Sequence, residues 1–153
     1  MAQAPGLEFA FAARVAVAPP LELGDTPQGR QRVIPILGGT VEGPDIRGAV
    51  LAGGADWQML RPDGATELTA RYLIRADDGA LIAVTNRGLR HAPPAVARKL
   101  LAGEPVDPAQ VYFRATPSFS TAAPRYLWLN RSLFLCAGER LPDAVLLNFF
   151  RVT

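Results

Sequence analysis

This chain of 153 residues has one cysteine (Cys136), one histidine (His91) and one lysine (Lys99). A lone cysteine excludes an internal disulfide and any cysteine-cluster metal site. A lone histidine excludes a metal centre built on paired histidines, and no Gly-x-Ser-x-Gly nucleophile elbow is present. Neither a metal nor a cofactor is therefore expected. No apolar run approaches the roughly 20 residues that a membrane-crossing helix needs. Met1-Ala-Gln-Ala-Pro carries no basic segment of the kind that opens a secretory signal. These absences lead to the expectation of one soluble, cytoplasmic domain over 1–153, with no membrane partner.

The positive charge, Lys99 apart, is all arginine, and the formal total is only +2. The arginines are scattered singly rather than massed in a stripe, so no nucleic-acid partner is expected. Hydrophobic residues make up 49% of the chain, enough for a sizeable core. They are arranged mostly with period two. Leu7, Phe9, Phe11, Val15 and Val17 alternate onto one face of a strand ended by Pro19-Pro20. Gly24 to Gly29 reads as a loop. Arg32 to Leu37 reads as a short strand that Pro35 restricts to an edge or a bulge.

Gly38 to Gly48 is rich in glycine, as at a barrel corner; it lacks the lysine and hydroxyl of a phosphate-binding loop. Further strands are predicted over 49–60, 66–75 and 81–86, with turns at Pro62-Asp-Gly64 and Asp77-Asp-Gly79. One helix is predicted near 93–103, opened by Pro93-Pro94 and closed by Gly103. The stretch from Val111 to Cys136 reads as two strands. In the first, Tyr112, Arg114 and Thr116 share a face; in the second, Tyr126, Trp128 and Asn130 do. The closing strand, 144–152, is apolar on both faces, as if one covered a partner. Short strands, turn signals and a single helix together predict an all-β fold, a closed antiparallel barrel.

Six motifs, in order, carry a family resemblance. They are Gly38-Gly-Thr-Val-Glu-Gly-Pro, Gly53-Gly-Ala-Asp-Trp57, Ala70-Arg-Tyr, Asn86-Arg-Gly-Leu-Arg-His91, Tyr112-Phe-Arg-Ala-Thr-Pro117 and Tyr126-Leu-Trp-Leu-Asn-Arg131. From about Leu7 to Val152 the chain resembles the bacterial domain-of-unknown-function family 3237. The resemblance implies a small closed barrel of roughly eight strands, often self-associating, and supplies no activity.

The candidate site is therefore read from residue chemistry. Asp56 beside Trp57 is a carboxylate next to an aromatic wall, a setting that raises its pKa and suits a general acid or base. Tyr126 is a second proton-transfer candidate. Arg71 and Arg114, among apolar strand neighbours, either cover the surface with their stems or point inward to hold an anion. Asn86 and Asn130 lie near strand ends, at a possible barrel mouth, and Trp128 supplies stacking surface. Cys136 and His91 form a conceivable but weak nucleophile pair, since cysteine in an apolar strand is usually a small hydrophobe. His91 otherwise reads as a loop residue that caps or orients the helix start.

Two functional classes fit these residues. One is a homo-oligomeric barrel that binds a small aromatic or apolar molecule with an acidic or polar group. The other is a cofactor-free acid–base enzyme, an isomerase, cyclase or lyase. A filled, purely structural barrel is the third reading, and an interior cavity with Asp56 facing it decides against that one.

Overall fold

A computed structural model describes residues 1–153. Its strands are β1 (Leu7–Val17), β2 (Leu21–Thr26), β3 (Gly29–Glu42), β4 (Arg47–Val50), β5 (Ala55–Leu60), β6 (Thr66–Ala76), β7 (Leu81–His91), β8 (Tyr112–Ser120), β9 (Phe134–Arg140) and β10 (Ala144–Val152). A single α-helix, α1 (Pro94–Leu101), joins β7 to β8. All pairings are antiparallel, in the order β1-β10-β9-β8-β7-β6-β4-β3, and β3 pairs back onto β1 to close a barrel. β4 and β5 share one wall position, each lying between β3 and β6, so the wall has eight positions. β2 lies outside it, along the first half of β3. The expected barrel and its one helix are both present.

Local details depart from the sequence reading for identifiable reasons. The alternation of β1 breaks at a bulge between Phe9 and Phe11. The extra residue shifts the phase, so Leu7 and Phe9 face outward while Phe11, Val15 and Val17 face the core. The segment 24–29 is not a loop: β2 runs to Thr26 and a tight turn brings the chain into β3. Nor does the chain turn a corner at Gly38-Gly39. β3 passes straight through them, exchanging β2 for β1 as its neighbour. Pro35 falls where that exchange happens, so its missing N–H breaks no ladder. Gly39 permits the new pairing, because a Cβ there would lie 2.2 Å from the carbonyl oxygen of Arg14.

The largest departure is at 124–131. This stretch is a 3₁₀ helix, Pro124–Arg131, and not a strand. Pro124 opens it, and Tyr126 and Leu129, three residues apart, are its buried side chains, matching the three-residue turn. Asn130 fastens it to the end of β8: its Nδ2 donates to Thr121 O at 2.7 Å, and Thr121 N donates to its Oδ1 at 3.0 Å. The helix crosses one mouth of the barrel and plugs it.

Beneath the plug the core is aromatic. Phe11 stacks on Phe149 at 4.3 Å, and Phe119 meets Phe134 edge-on at 5.0 Å. This end is sealed. Phe149 is fully enclosed, whereas Trp57 is 56% exposed. Phe149→Ala should therefore cost about 3–5 kcal/mol of stability, and Trp57→Ala no more than about 0.5 kcal/mol. Urea unfolding monitored by circular dichroism measures both; equal costs would contradict this placement of the core.

Candidate functional site

Away from the aromatic plug the interior becomes polar. The register dictates which residues meet there. Asp56 on β5 pairs with Ala70 on β6, and Ala70 with Asn86 on β7. Two residues further along each strand the inward row is Arg32, Gln58, Leu68, Gly88, Ala115 and Cys136. Period two makes both rows face inward together. Ala70, Gly88 and Ala115 are small, and the space they leave is a cavity of about 50 Å³, also lined by Asp56, Tyr72, Asn86, Arg90, Phe113 and Arg140. That volume holds about one or two water molecules, so a ligand the size of an aromatic ring enters only as lining side chains move.

A hydrogen-bond chain orients the carboxyl. Glu22, on the outer strand β2, lies 3.7 Å from Arg32 Nη1. Arg32 Nε donates to Gln58 Oε1 at 2.8 Å, and Gln58 Nε2 donates to Asp56 Oδ2 at 2.8 Å. Three buried oxygens beside the cavity have no protein partner: Asp56 Oδ1, Tyr72 OH and Asn86 Oδ1. Buried polar atoms are nearly always hydrogen-bonded, so three oxygens without a protein partner around one small cavity set this part of the interior apart.

The electrostatics are set by burial. Loss of water pushes the Asp56 carboxyl above its ordinary value; the Gln58 hydrogen bond and the charges of Arg90, Arg32 and Arg140 pull it only partly back. Burial pushes the Tyr72 phenol up as well, and the Cys136 thiol up to about 12. It pushes the Arg90 guanidinium down to about 10, against an opposing pull from Asp56. At neutral pH Arg90 thus remains a cation and Cys136 a neutral thiol, which removes the Cys136–His91 pair. His91 is exposed and stacks on Tyr112 at 4.8 Å, outside the barrel, and the N-cap of α1 is Pro93, so His91 does not cap that helix.

Of the residues singled out from sequence, Asp56 and Asn86 meet at the cavity. Trp57 does not: it points outward, so burial alone, and no indole wall, raises the Asp56 pKa. Arg71 and Arg114 also face outward. Arg114 lies over the Tyr112 ring at 5.9 Å and donates to Phe113 O at 2.9 Å. Tyr126 belongs to the plug, Trp128 packs on Phe134 at 6.1 Å beside it, and Asn130 is taken up by Thr121. All three lie at the sealed mouth, because a 3₁₀ turn replaces the strand that would have aligned them.

The inward arginines Arg32, Arg90 and Arg140, with Gln58 and Tyr72, escaped sequence reasoning. The usable signal was parity. Asp56 and Gln58 are two apart on one strand, as are Arg32 and Ile34, or Asn86 and Arg90 at an even separation. No group of three His, Cys, Asp or Glu side chains converges on a possible metal position. No helix is long and apolar enough to cross a membrane.

Comparison with known proteins gives a consistent picture. Residues 5–152 match the family model described as "Protein of unknown function (DUF3237)". A UPF0311 protein of Clostridium acetobutylicum is 44% identical over 95% of this chain and 93% of its own length. A crystal structure of a conserved protein of unknown function from Rhodopseudomonas palustris superimposes with a TM-score of 0.94 at 40% identity, covering 100% of both chains. A hydroalkoxylation enzyme of Penicillium herquei is 29% identical over 97% of this chain and 84% of its own.

The raised pKa of Asp56 has a consequence for stability. Its proton is held more tightly in the folded protein than in the unfolded chain, where the ordinary value is 3.8. The stabilisation from protonated Asp56 is therefore complete below that value and is lost as pH rises through the folded pKa. Asp56→Asn should lack this fall, so the stability difference, variant minus wild type, should grow with pH across that window. Urea unfolding at a series of pH values tests it; a difference that shrinks with rising pH would show a carboxylate stabilised as the anion.

Proposed function

The chain belongs to the DUF3237 family, and on that premise we propose that its interior binds a small aromatic or apolar molecule and catalyses proton transfer on it without a cofactor. The observation that carries this reading is the Asp56 carboxyl. It is oriented by Gln58, has one oxygen unpartnered, and faces a cavity beside the Tyr72 hydroxyl. A carboxyl whose pKa is raised keeps its proton closer to neutrality and gives it up to a bound substrate.

The similarity to a hydroalkoxylation enzyme points to a reaction of matching demand. Adding an O–H across a carbon–carbon double bond needs a proton delivered to one carbon while oxygen bonds to the other. In this site Asp56 gives its proton to the substrate's alkene carbon. The electron pair of the double bond forms the new C–H bond, and a substrate hydroxyl bonds the adjacent carbon. The hydroxyl proton then returns to the Asp56 carboxylate. Atoms and charge balance with no co-reactant, and the product is an isomer of the substrate. A cyclisation or a double-bond shift uses the same two transfers. In this proposal the Tyr72 hydroxyl and the Asn86 amide oxygen, both unpartnered at the cavity, contact the substrate and fix its orientation.

The groups facing Asp56 are Gln58, Arg32, Arg90, Arg140 and Tyr72. Activity that needs the protonated acid should fall as pH rises through the raised pKa. Asp56→Asn should lower turnover about 10²–10⁴-fold with the fold intact, and Tyr72→Phe should lower it less. A thermal-shift screen of small aromatic acids and phenols bearing an alkene and a hydroxyl, followed by product analysis, supplies the substrate. Full turnover by Asp56→Asn would leave a binding barrel as the surviving reading.

We also propose self-association through the outer face of β1, β10 and β9. Phe9, Phe150 and Leu135 pair across the three strands there, next to exposed Leu7 and Leu133. Apolar area of this kind is worth about 25 cal/mol per Å² when removed from water. Light scattering should report a dimer or larger closed oligomer, and Phe150→Glu a monomer; a monomeric wild type at micromolar concentration would refute it.

A further inference from the structure

Two guanidiniums, Arg32 and Arg90, are buried in the interior and a third, Arg140, is half-buried at its edge, against one interior carboxyl, Asp56. Each ordinarily needs a partner when removed from water, because a buried unpaired charge is costly. Arg32 has two, the Glu22 carboxylate and the Gln58 amide. Arg140 Nη1 donates to the backbone oxygen of Ala144 at 3.3 Å, and the charges of Asp56 and Asp143 act on it from beyond ion-pair distance. Arg90 is 4% exposed, and its charge is met by the Phe113 ring at 5.7 Å and by the field of Asp56. The ion pair that Glu22 gives Arg32 has no counterpart at Arg90 or Arg140. When Asp56 holds its proton the interior has no anion of its own to set against them.

Arg90 also occupies a particular place. It lines the internal cavity and, on its other side, a groove of about 510 Å³ between α1 and the loops before β3 and β6. Arg30, Arg61 and Arg98 line the same groove with Asp25; Arg30 pairs with Glu22, and Arg61 with Asp63 and Glu67, so Arg98 is the one of the three without an ion pair. The groove thus gives access to Arg90 from outside, and the cation at its floor, unlike Arg30 and Arg61 at its rim, has no carboxylate paired to it.

We infer that Arg90, assisted by Arg140, is the anion-recognition point of the interior, and that the molecule bound beside Asp56 carries an oxygen-centred negative charge, a carboxylate or a phenolate. This rests on the cavity being the binding site proposed above. It adds the substrate class: the anion is anchored at Arg90 while the reacting carbon lies toward Asp56 and Tyr72. Neither Arg71 nor Arg114, both outward, takes that part.

Two matched pairs of probes test it by calorimetry: benzoate against benzamide, and 4-nitrophenolate against 4-nitroanisole. In the wild type at least one anion should bind about tenfold to a hundredfold tighter than its neutral counterpart, the value of a charge-assisted hydrogen bond. Arg90→Gln should abolish that preference and Arg90→Lys should keep part of it. Arg140→Gln, nearer the surface, should weaken it and serves as a second variant if Arg90→Gln does not fold. Preference for benzoate assigns a carboxylate and preference for 4-nitrophenolate a phenolate; either supports the inference. Equal binding of both members of each pair, a preference untouched in Arg90→Gln and Arg140→Gln, or no anion binding at millimolar concentration would overturn it. Asp56→Asn separates the two proposals. It should retain the anion preference, so turnover surviving in that variant removes the acid–base reading alone, and a missing preference removes the anion site alone.

Discussion

Closure of β3 onto β1 is the constraint from which the rest follows. Once the last pair of edges is joined, every strand has exactly two faces with different fates, and alternate side chains must share one narrow interior. Space inside is so limited that the two ends divide the work. At one end phenylalanines and the 3₁₀ turn fill the bore, and Tyr126 and Leu129 seal it. Toward the other end small residues, Ala70, Gly88 and Ala115, stand opposite large polar ones. Gly138 belongs to the same economy of space: a Cβ there would meet the Phe113 ring at 2.8 Å. The cavity is therefore a product of side-chain size along rows that the register had already aligned.

A polar interior is energetically awkward, and the structure shows how this one is borne. Glu22, Arg32, Gln58 and Asp56 form a line running from the outer strand inward, each bonded or paired to the next. β2 contributes nothing to the closed wall, yet it supplies the carboxylate at the start of that line. The orphaned oxygens of Asp56, Tyr72 and Asn86 lie beyond its end. Satisfied groups give rigidity at one side of the carboxyl, and the unsatisfied ones face the cavity on the other.

The barrel was legible in the sequence because it rests on period two, on turn residues and on the Pro93–Gly103 helix signals, all local features. The site was legible only in part, since facing direction depends on phase. One bulge at Phe9–Phe11 was enough to turn Leu7 and Phe9 outward. In 124–131 a three-residue period, Tyr126 to Leu129, competed with an apparent alternation, and Pro124 decided for the turn. Arg71 and Arg114 read like Arg90 in composition; only their position in the β6–β7–β8 ladder tells them apart. Asp56 was recognisable as a carboxylate next to an indole, but the cause of its raised pKa is burial among residues distant in the chain, an effect that the charges of Arg90, Arg32 and Arg140 only partly offset.

The sharing of one wall position by β4 and β5 makes the site's chemistry a matter of register. Asp56 lies two residues past Gly54, and Trp57 follows it on the opposite face. A one-residue slip of β5 would turn the carboxyl to solvent and drive an indole into the bore, leaving the wall unbroken. The six-residue ladders that hold β5 to β3 and β6 therefore act as an address label for a single acid. The link 51–54 sets that register, so its length decides which side chain of β5 enters the bore. Gain or loss of one residue there would exchange a carboxyl for an indole inside the barrel without breaking the wall.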